Sequence, residues 1–342
     1  MSTTMRQVAA AAGVSVATAS RALSGSSLVV DATRQRVLRV AAELDFTPSR
    51  LARSLVTGLT GNVGVIIPDI TNPFFTPFLA ELESTLGAGD VGLLIGNAQE
   101  SREREQALVQ RMSTQVDALV LASSRLSDDQ IVRAAGRFPV VLVNRRLGAD
   151  VGRPVALAEV VIDIEPGLRA AVRHLHGLGH TELTYLDGPA QSWSAAQKRT
   201  VLNRACTELE MSFTVTGTAR PDFAAGREVG GAIATSGASA VVTYNDQVAL
   251  GVLAACYDIG VEVPGGISVI GCDDSLPTGL ARPALTTVAC SARALGALSA
   301  AAIVEPTTRC ADAVSTRLVI RKSTGAHLSA TANPAARVRA AS

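Results

Sequence analysis

The 342-residue sequence predicts a small all-α unit followed by a two-lobed α/β core with parallel sheets. Three observations carry that prediction. Residues 1–60 hold short helical patterns broken at glycine- and serine-containing turns. From Val63 onward, short apolar runs rich in β-branched residues alternate with amphipathic stretches for nearly 270 residues, more than one domain of roughly 100 to 200 residues needs. With 47% hydrophobic and 18% charged residues, most of the chain has apolar material enough to offset its entropy, which excludes general disorder.

In order along the chain, MRQVAAAA is an alanine-rich helix that GVS interrupts, and Ser15 stands where it can cap a second helix over VATASRAL. Two short helices joined by a tight turn form a helix-turn-helix, whose second helix can enter a major groove. After SGSSLVV, Asp31 is expected to cap a third helix with Val37, Val40, Ala41 and Leu44 along one stripe. Pro48 then opens SRLARSL, too short to persist as an isolated helix. Beyond the loop VTGLTGN, the runs VGVIIPD, VGLLIGN, VDALVLAS, PVVLVNR, LTYLDGP, ASAVVTYND and ISVIGCDD are strands, with FFTPFLAELESTLGAG and REREQALVQRMSTQ among the helices between them. Continuous apolar strands alternating with helices imply parallel sheets covered on both faces. Ligands in such folds gather at the carboxyl ends of strands, where Asp69, Asn97, Asn144, Gly188, Asn245 and Asp273 fall. The expected boundaries are 1–47 for the helical unit, 48–61 for the linking segment, 62–328 for the core and 329–342 for a disordered tail.

A formal net charge of +1 conceals an asymmetry, because the first sixty residues carry seven arginines against three carboxylates. A basic head on a mildly acidic body is the distribution expected when one end meets a polyanion. No apolar run approaches the ~20 residues of a bilayer span, and the N-terminus has no leucine-rich leader, so a cytoplasmic protein without a membrane partner is expected. The five cysteines stand singly and read as small core residues. His174, His176 and His180 read as surface and helix-capping groups, and Asp128 and Asp129 as a helix start. The sequence has no GxSxG, GxxxxGK[ST] or HExxH motif, and no GxGxxG directly after its first strand. Neither an enzyme, nor a metal, nor a cofactor is expected.

The segments MRQVAAAAGVSVATASRALSG and TPSRLARSLVTGLTGNVGVIIPDITNPFF resemble the N-terminal region of the LacI/GalR family of bacterial transcription regulators. The likeness continues in order through GNAQESREREQALVQRM, VVLVNRRL, HLHGLGHTELTYLDGP, YNDQVALGVL, ISVIGCDD and PALTTV. It implies a helix-turn-helix headpiece, a hinge helix that folds on DNA, and a periplasmic-binding-protein-like core that forms a homodimer and binds a small effector.

Residue by residue, the resemblance places Val16, Ala17 and Arg21 at base edges, with Thr18 and Ser20 nearer the DNA backbone. Arg21 can pair with a guanine in two bonds, and the two apolar residues can touch a thymine methyl. Leu51, Ala52 and Leu55 match the hinge face, Leu55 as the wedge between base pairs, while Ser49 replaces the more usual asparagine. The effector positions are Asp69, Phe74, Asn97, Asn144, Trp193, Lys198, Phe223, Asn245 and Asp273. Their carboxylates and amides suit vicinal hydroxyls, and Trp193 and Phe223 suit the apolar face of a pyranose. Lys198, Asn144 and Ile164 depart from the family's usual arginine, aspartate and polar residue. The resemblance implies a repressor of carbohydrate uptake or catabolism genes, acting on palindromic double-stranded operator DNA under control of a sugar. A purine- or other metabolite-responsive regulator and a sugar-binding transport protein are the alternatives.

Overall fold

The computed structural model describes residues 3–46, 58–217, 220–275, 281–305 and 312–327. The expected hinge, with Ser49, Leu51, Ala52 and Leu55, lies outside the described residues, as do Cys310 and the expected tail 329–342. The chain forms two compact units, Met1–Gly61 and Asn62–Ser342.

The first unit is three helices, α1 (Met5–Ala11), α2 (Val16–Leu23) and α3 (Asp31–Glu43). At the start of α1 the Thr4 amide donates to Gln7 Oε1 at 2.8 Å while Thr4 Oγ1 accepts from the Gln7 amide, a reciprocal cap that satisfies two otherwise free N–H groups. Gly13 turns the chain at φ +65°, a conformation costly to residues with a Cβ. Ser15 then caps α2 by accepting from the Thr18 amide at 3.1 Å. Asp31 does not cap α3. The cap residue is Val30, and Asp31, already inside the helix, takes Arg34 Nη1 at 2.7 Å instead, its charge still favouring the positive helix start. Arg34 also donates to the carbonyls of Ser26 and Val29 and so fastens the linker. Val37 and Ala41 are buried, but Leu44 is more than one-third exposed.

The second unit has two lobes. Strands β1 (Asn62–Ile67), β2 (Gly92–Asn97), β3 (Ala118–Ala122), β4 (Val140–Val143), β5 (Leu157–Asp163) and β11 (Asp312–Ser315) form a parallel sheet in the order β11-β5-β4-β3-β1-β2. Helices α4 (Phe75–Gly87), α5 (Arg102–Met112), α6 (Asp128–Ala135) and α11 (Ala292–Val304) accompany it. Strands β6 (Glu182–Asp187), β7 (Ser212–Gly217), β8 (Ala240–Thr243), β9 (Ser268–Asp273), β10 (Thr286–Ala289) and β12 (Arg317–Val319) form the second sheet, in the order β12-β10-β9-β8-β6-β7. Here β12 runs antiparallel to β10, a departure from the all-parallel expectation. Helices α7 (Glu165–Gly177), α8 (Trp193–Glu208), α9 (Phe223–Thr235) and α10 (Asp246–Asp258) belong to this lobe. Apolar clusters line both sheets, around Phe78, Leu82, Leu119 and Ile131 in the first lobe and Leu168, Tyr185, Val248 and Val252 in the second.

The chain crosses between lobes after β5, after β10 and between β11 and β12. Thr316 Oγ1 donates to the Asp163 carbonyl at 2.8 Å and accepts from the Gly167 amide at 3.2 Å, pinning the third crossing to the first. At the second, the Cys290 amide donates to the Asp273 carbonyl at 3.4 Å. Cys206, Cys256 and Cys272 are buried as expected of small core residues, whereas Cys290 is only half-buried.

One histidine departs from its expected surface role. His180 is buried, with Nδ1 at 2.9 Å from Ser239 Oγ and Nε2 at 3.1 Å from Ser268 Oγ and 3.2 Å from the Gly325 carbonyl. Burial pushes its pKa down, so the neutral ring serves as a tie between three segments. His174 is half-buried against Thr324 and His176 is exposed. No helix among the described residues is long and apolar enough to cross a membrane.

Candidate functional site

Helix α2 presents two faces. Ala19 and Ala22 are buried against α1 and α3, while Val16, Ala17, Ser20 and Arg21 are exposed. The Arg21 guanidinium has no partner among the described residues, so its five donors remain for another molecule. Thr18 is half-buried and its hydroxyl lies 2.8 Å from Ser15 Oγ, inside the helix cap, which limits it as a partner for a DNA backbone.

In the second unit a narrow cleft opens between the lobes at the carboxyl ends of their strands. Of the expected effector residues, Phe74, Asn144, Trp193, Lys198, Asn245 and Asp273 line it. Phe74 stands at the start of α4, Trp193 opens α8 with Lys198 below it, and Asn144 and Asp273 end β4 and β9. Three expected residues do not line it. Asp69 is spent in its own turn, accepting from the Thr71 amide at 2.9 Å and hydroxyl at 2.7 Å. Asn97 Oδ1 accepts from the Ile70 and Gln99 amides and so braces two loops. Phe223 opens α9 and is 44% exposed outside the cleft. Asn245 reaches the cleft but has both ends of its amide engaged, donating to the Pro221 carbonyl at 2.8 Å and capping α10 through the Val248 amide at 2.9 Å.

The structure adds residues that sequence reasoning missed. Arg125, just beyond β3, is buried and donates to Glu100 Oε2 through Nε at 2.8 Å and Nη2 at 2.7 Å, and to the Ser123 carbonyl at 2.8 Å. From the opposite lobe the Tyr244 hydroxyl, 3.0 Å from Ser192 Oγ, faces this guanidinium. The Tyr244 ring fits only because Gly188 has no side chain, since a Cβ there would lie 2.4 Å from it. Lys198 Nζ donates to the Tyr244 carbonyl at 2.6 Å and sits 4.5 Å from the ring centroid, a cation–π contact. Applied to the residues just past β3 and β8, the strand-end rule would have found Ser123, Arg125 and Tyr244. Glu100 gives no such signal.

Backbone conformation marks the same place. Glu100 (φ 58°), Ser123 (47°), Asn144 (53°) and Asp273 (107°) all line the cleft and all hold left-handed φ values. Each costs about 1–3 kcal/mol and persists only where surrounding structure imposes it, as at ligand sites. Asn144 donates to Ser123 Oγ at 3.1 Å, joining two of these residues.

Charge in the cleft is dense and coupled. Burial pushes the Asp273 carboxyl up to about 7, with Lys198 opposing and Asp246 adding to the rise. Asp246 is raised to about 6 by burial, eased by bonds from Thr287 Oγ1 at 2.7 Å and the Ser275 amide at 2.8 Å. Burial works against the Lys198 charge, yet Cys272, Asp273, Tyr244 and Asp246 hold its pKa above the ordinary value, so it remains an ammonium. The Cys290 thiol, also at the cleft, is pushed up to about 12 by burial and is no nucleophile at neutral pH. This set can hold hydroxyls in fixed directions and close on them from both lobes.

Residues 4–49 match the bacterial regulatory proteins of the lacI family, and residues 172–324 match a periplasmic binding protein-like domain. The transcriptional regulator GalR of Escherichia coli is 32% identical over 291 residues, covering 83% of each chain. The lac repressor dimer bound to operator and the anti-inducer ONPF has the same fold, with a TM-score of 0.83 over 95% of this chain and all of that one at 24% identity. A complex of the regulator CelR with cellobiose matches over 94% of this chain and 99% of that one, with a TM-score of 0.68 and 24% identity. An exposed helix-turn-helix face, a two-lobed core and this extent of identity together mean that the chain belongs to the lacI family of bacterial regulatory proteins.

Proposed function

We propose that this DNA-binding transcriptional regulator is a repressor of carbohydrate uptake or catabolism genes whose operator affinity is set by a sugar held between the two lobes. One observation carries the proposal: the strained, polar strand ends of both lobes converge on one cleft, so a ligand there touches both and biases their closure. A ligand shifts a conformational equilibrium only through unequal affinity for its two states, and a site shared by two lobes supplies that inequality. Asp273 accepts hydrogen bonds from ligand hydroxyls and Trp193 covers the ring. Val16, Ala17 and Arg21 read a half-site, with Thr18, Ser20, Ser49, Ala52 and Leu55 assigned to the rest of the DNA contact. The protein acts in the cytoplasm as a homodimer on a palindromic duplex, and its ligand leaves unchanged.

The test is a titration of affinity for a duplex selected from a random pool, with and without a sugar that alters Trp193 emission. Asp273→Ala should abolish the sugar's influence while leaving sugar-free DNA binding intact. Equal sugar sensitivity in parent and variant would remove Asp273 from the site, and a parent indifferent to every sugar would overturn the reading.

A further inference from the structure

We infer that the cleft selects an uncharged polyhydroxyl ligand over its phosphorylated form, and that Glu100, Arg125 and Tyr244 impose the choice; the inference rests on the sugar-gated reading above. Among the described residues, four charged side chains line the cleft, Glu100 and Asp273 against Arg125 and Lys198. Both cations are already committed. Arg125 spends its fork on Glu100 and the Ser123 carbonyl, with Tyr244 facing what is left. Lys198 lies beneath the Tyr244 ring and donates to its carbonyl.

A phosphate adds between one and two negative charges and three strong acceptors. Tight recognition of such a group uses the free fork of an arginine or an unencumbered ammonium. Here a phosphate would have to break the Glu100 pair, leaving a partly buried carboxylate without its partner in a cleft that a second acid, Asp273, also lines. Stranding one member of a pair whose arginine is buried is unfavourable. The groups left to a ligand are the Ser123 hydroxyl, the Asn144 amide, the Tyr244 hydroxyl and the Asp273 carboxyl, with Trp193 as an apolar wall. Those partners match the hydroxyls and ring face of a neutral sugar.

Trp193 is the one tryptophan in the chain, so its emission reports on this cleft alone. The full-length protein is titrated with pentoses, hexoses and disaccharides, each beside the same sugar carrying one phosphate, with calorimetry as a second readout. A neutral sugar should bind saturably and its phosphate at least about 100-fold more weakly, because both cations are already engaged. Glu100→Gln, which leaves Arg125 uncompensated, should narrow that ratio at least about tenfold. The double variant Glu100→Gln with Arg125→Met restores charge balance and should keep the parent ratio. A phosphate that binds as tightly as its sugar overturns the inference, as does a ratio unmoved by Glu100→Gln in a protein that melts like the parent. If Glu100→Gln does not fold, the double variant decides, and loss of discrimination there is equally fatal. Silence from every pair overturns the sugar reading itself and this inference with it.

Discussion

The headpiece and the core bury different materials and use their polar groups in opposite ways. Among the described residues, the interior of the headpiece is Val8, Ala9, Ala12, Ala19, Ala22, Val29, Val37 and Ala41, with no buried side chain larger than valine. The core fills its lobes with phenylalanine, leucine, isoleucine and tyrosine. Burial contributes about 25 cal/mol per Å² of apolar surface, so small side chains leave a thin margin in a unit already small. Local bonds offset this: the reciprocal Thr4–Gln7 cap, the Ser15 cap and the Arg34 brace each join residues three to eight positions apart. Spending polar groups locally leaves the outer face of α2 unpartnered, as a surface that reads another molecule requires. In the cleft the polar groups are partnered and held still, as a site that discriminates small ligands requires.

That contrast can be broken by deletion. Phe78→Ala, which empties a fully buried site in the first lobe beside Phe75, should lower core stability by about 3–5 kcal/mol. Calorimetry should show the core transition moving while the headpiece transition stays, and a common shift of both would mean the two units melt as one. Arg21→Ala should weaken operator binding by about 1–3 kcal/mol and relax preference at one base pair per half-site, with both transitions unchanged. An unaltered footprint would take α2 out of base recognition. Val37→Ala should cost the headpiece about 1–2 kcal/mol, enough to lower its melting and its DNA affinity together while the core is unaffected.

The remaining effect is a pH slope confined to the core. Folded Asp273 and Asp246 keep protons up to about 7 and about 6, whereas the unfolded chain releases them near the ordinary value of 3.8. The stability they contribute is complete below that value and is lost as pH rises through 6 and 7. The slope is at most about 1.4 kcal/mol per pH unit for each proton. Denaturant midpoints of the core transition should therefore fall between pH 5 and pH 8, and less so in Asp273→Asn. Parallel slopes in the two proteins would reassign the proton.

What could be read from residues alone divides along the same line. Headpiece elements were legible because their signals are local: Ser15 before α2 and Gly13 in the turn act within one helical turn of where they stand. Asp31 misled by one position, since a carboxylate inside the first turn pairs with Arg34 rather than with free amides. Among the strands, the continuous apolar runs were plain. Strand β7 was not, because its residues are mostly exposed at a sheet edge, and β5 was not, because buried Glu159 interrupts it to accept from the Leu147 amide at 3.0 Å. The cleft was half legible. Strand ends pointed to Asn144 and Asp273, but nothing local reveals that Asp69 and Asn97 are consumed by loops, or that Glu100 meets Arg125 across 25 residues.

Thr316 has one further consequence, concerning the order in which the chain is made. The residues on either side of it, β11 and β12, complete different sheets, one beside β5 and the other beside β10. Both strands leave the ribosome after everything they pair with, at roughly 5–20 residues per second. The headpiece, whose three helices pack on one another, can fold while the rest is being synthesised. Each lobe must wait for a strand supplied from the far side of Thr316, so the two lobes reach completion within moments of each other. A nascent chain would thus hold a finished DNA reader well before it holds a finished receptor, and a single late segment brings both halves of that receptor into being together.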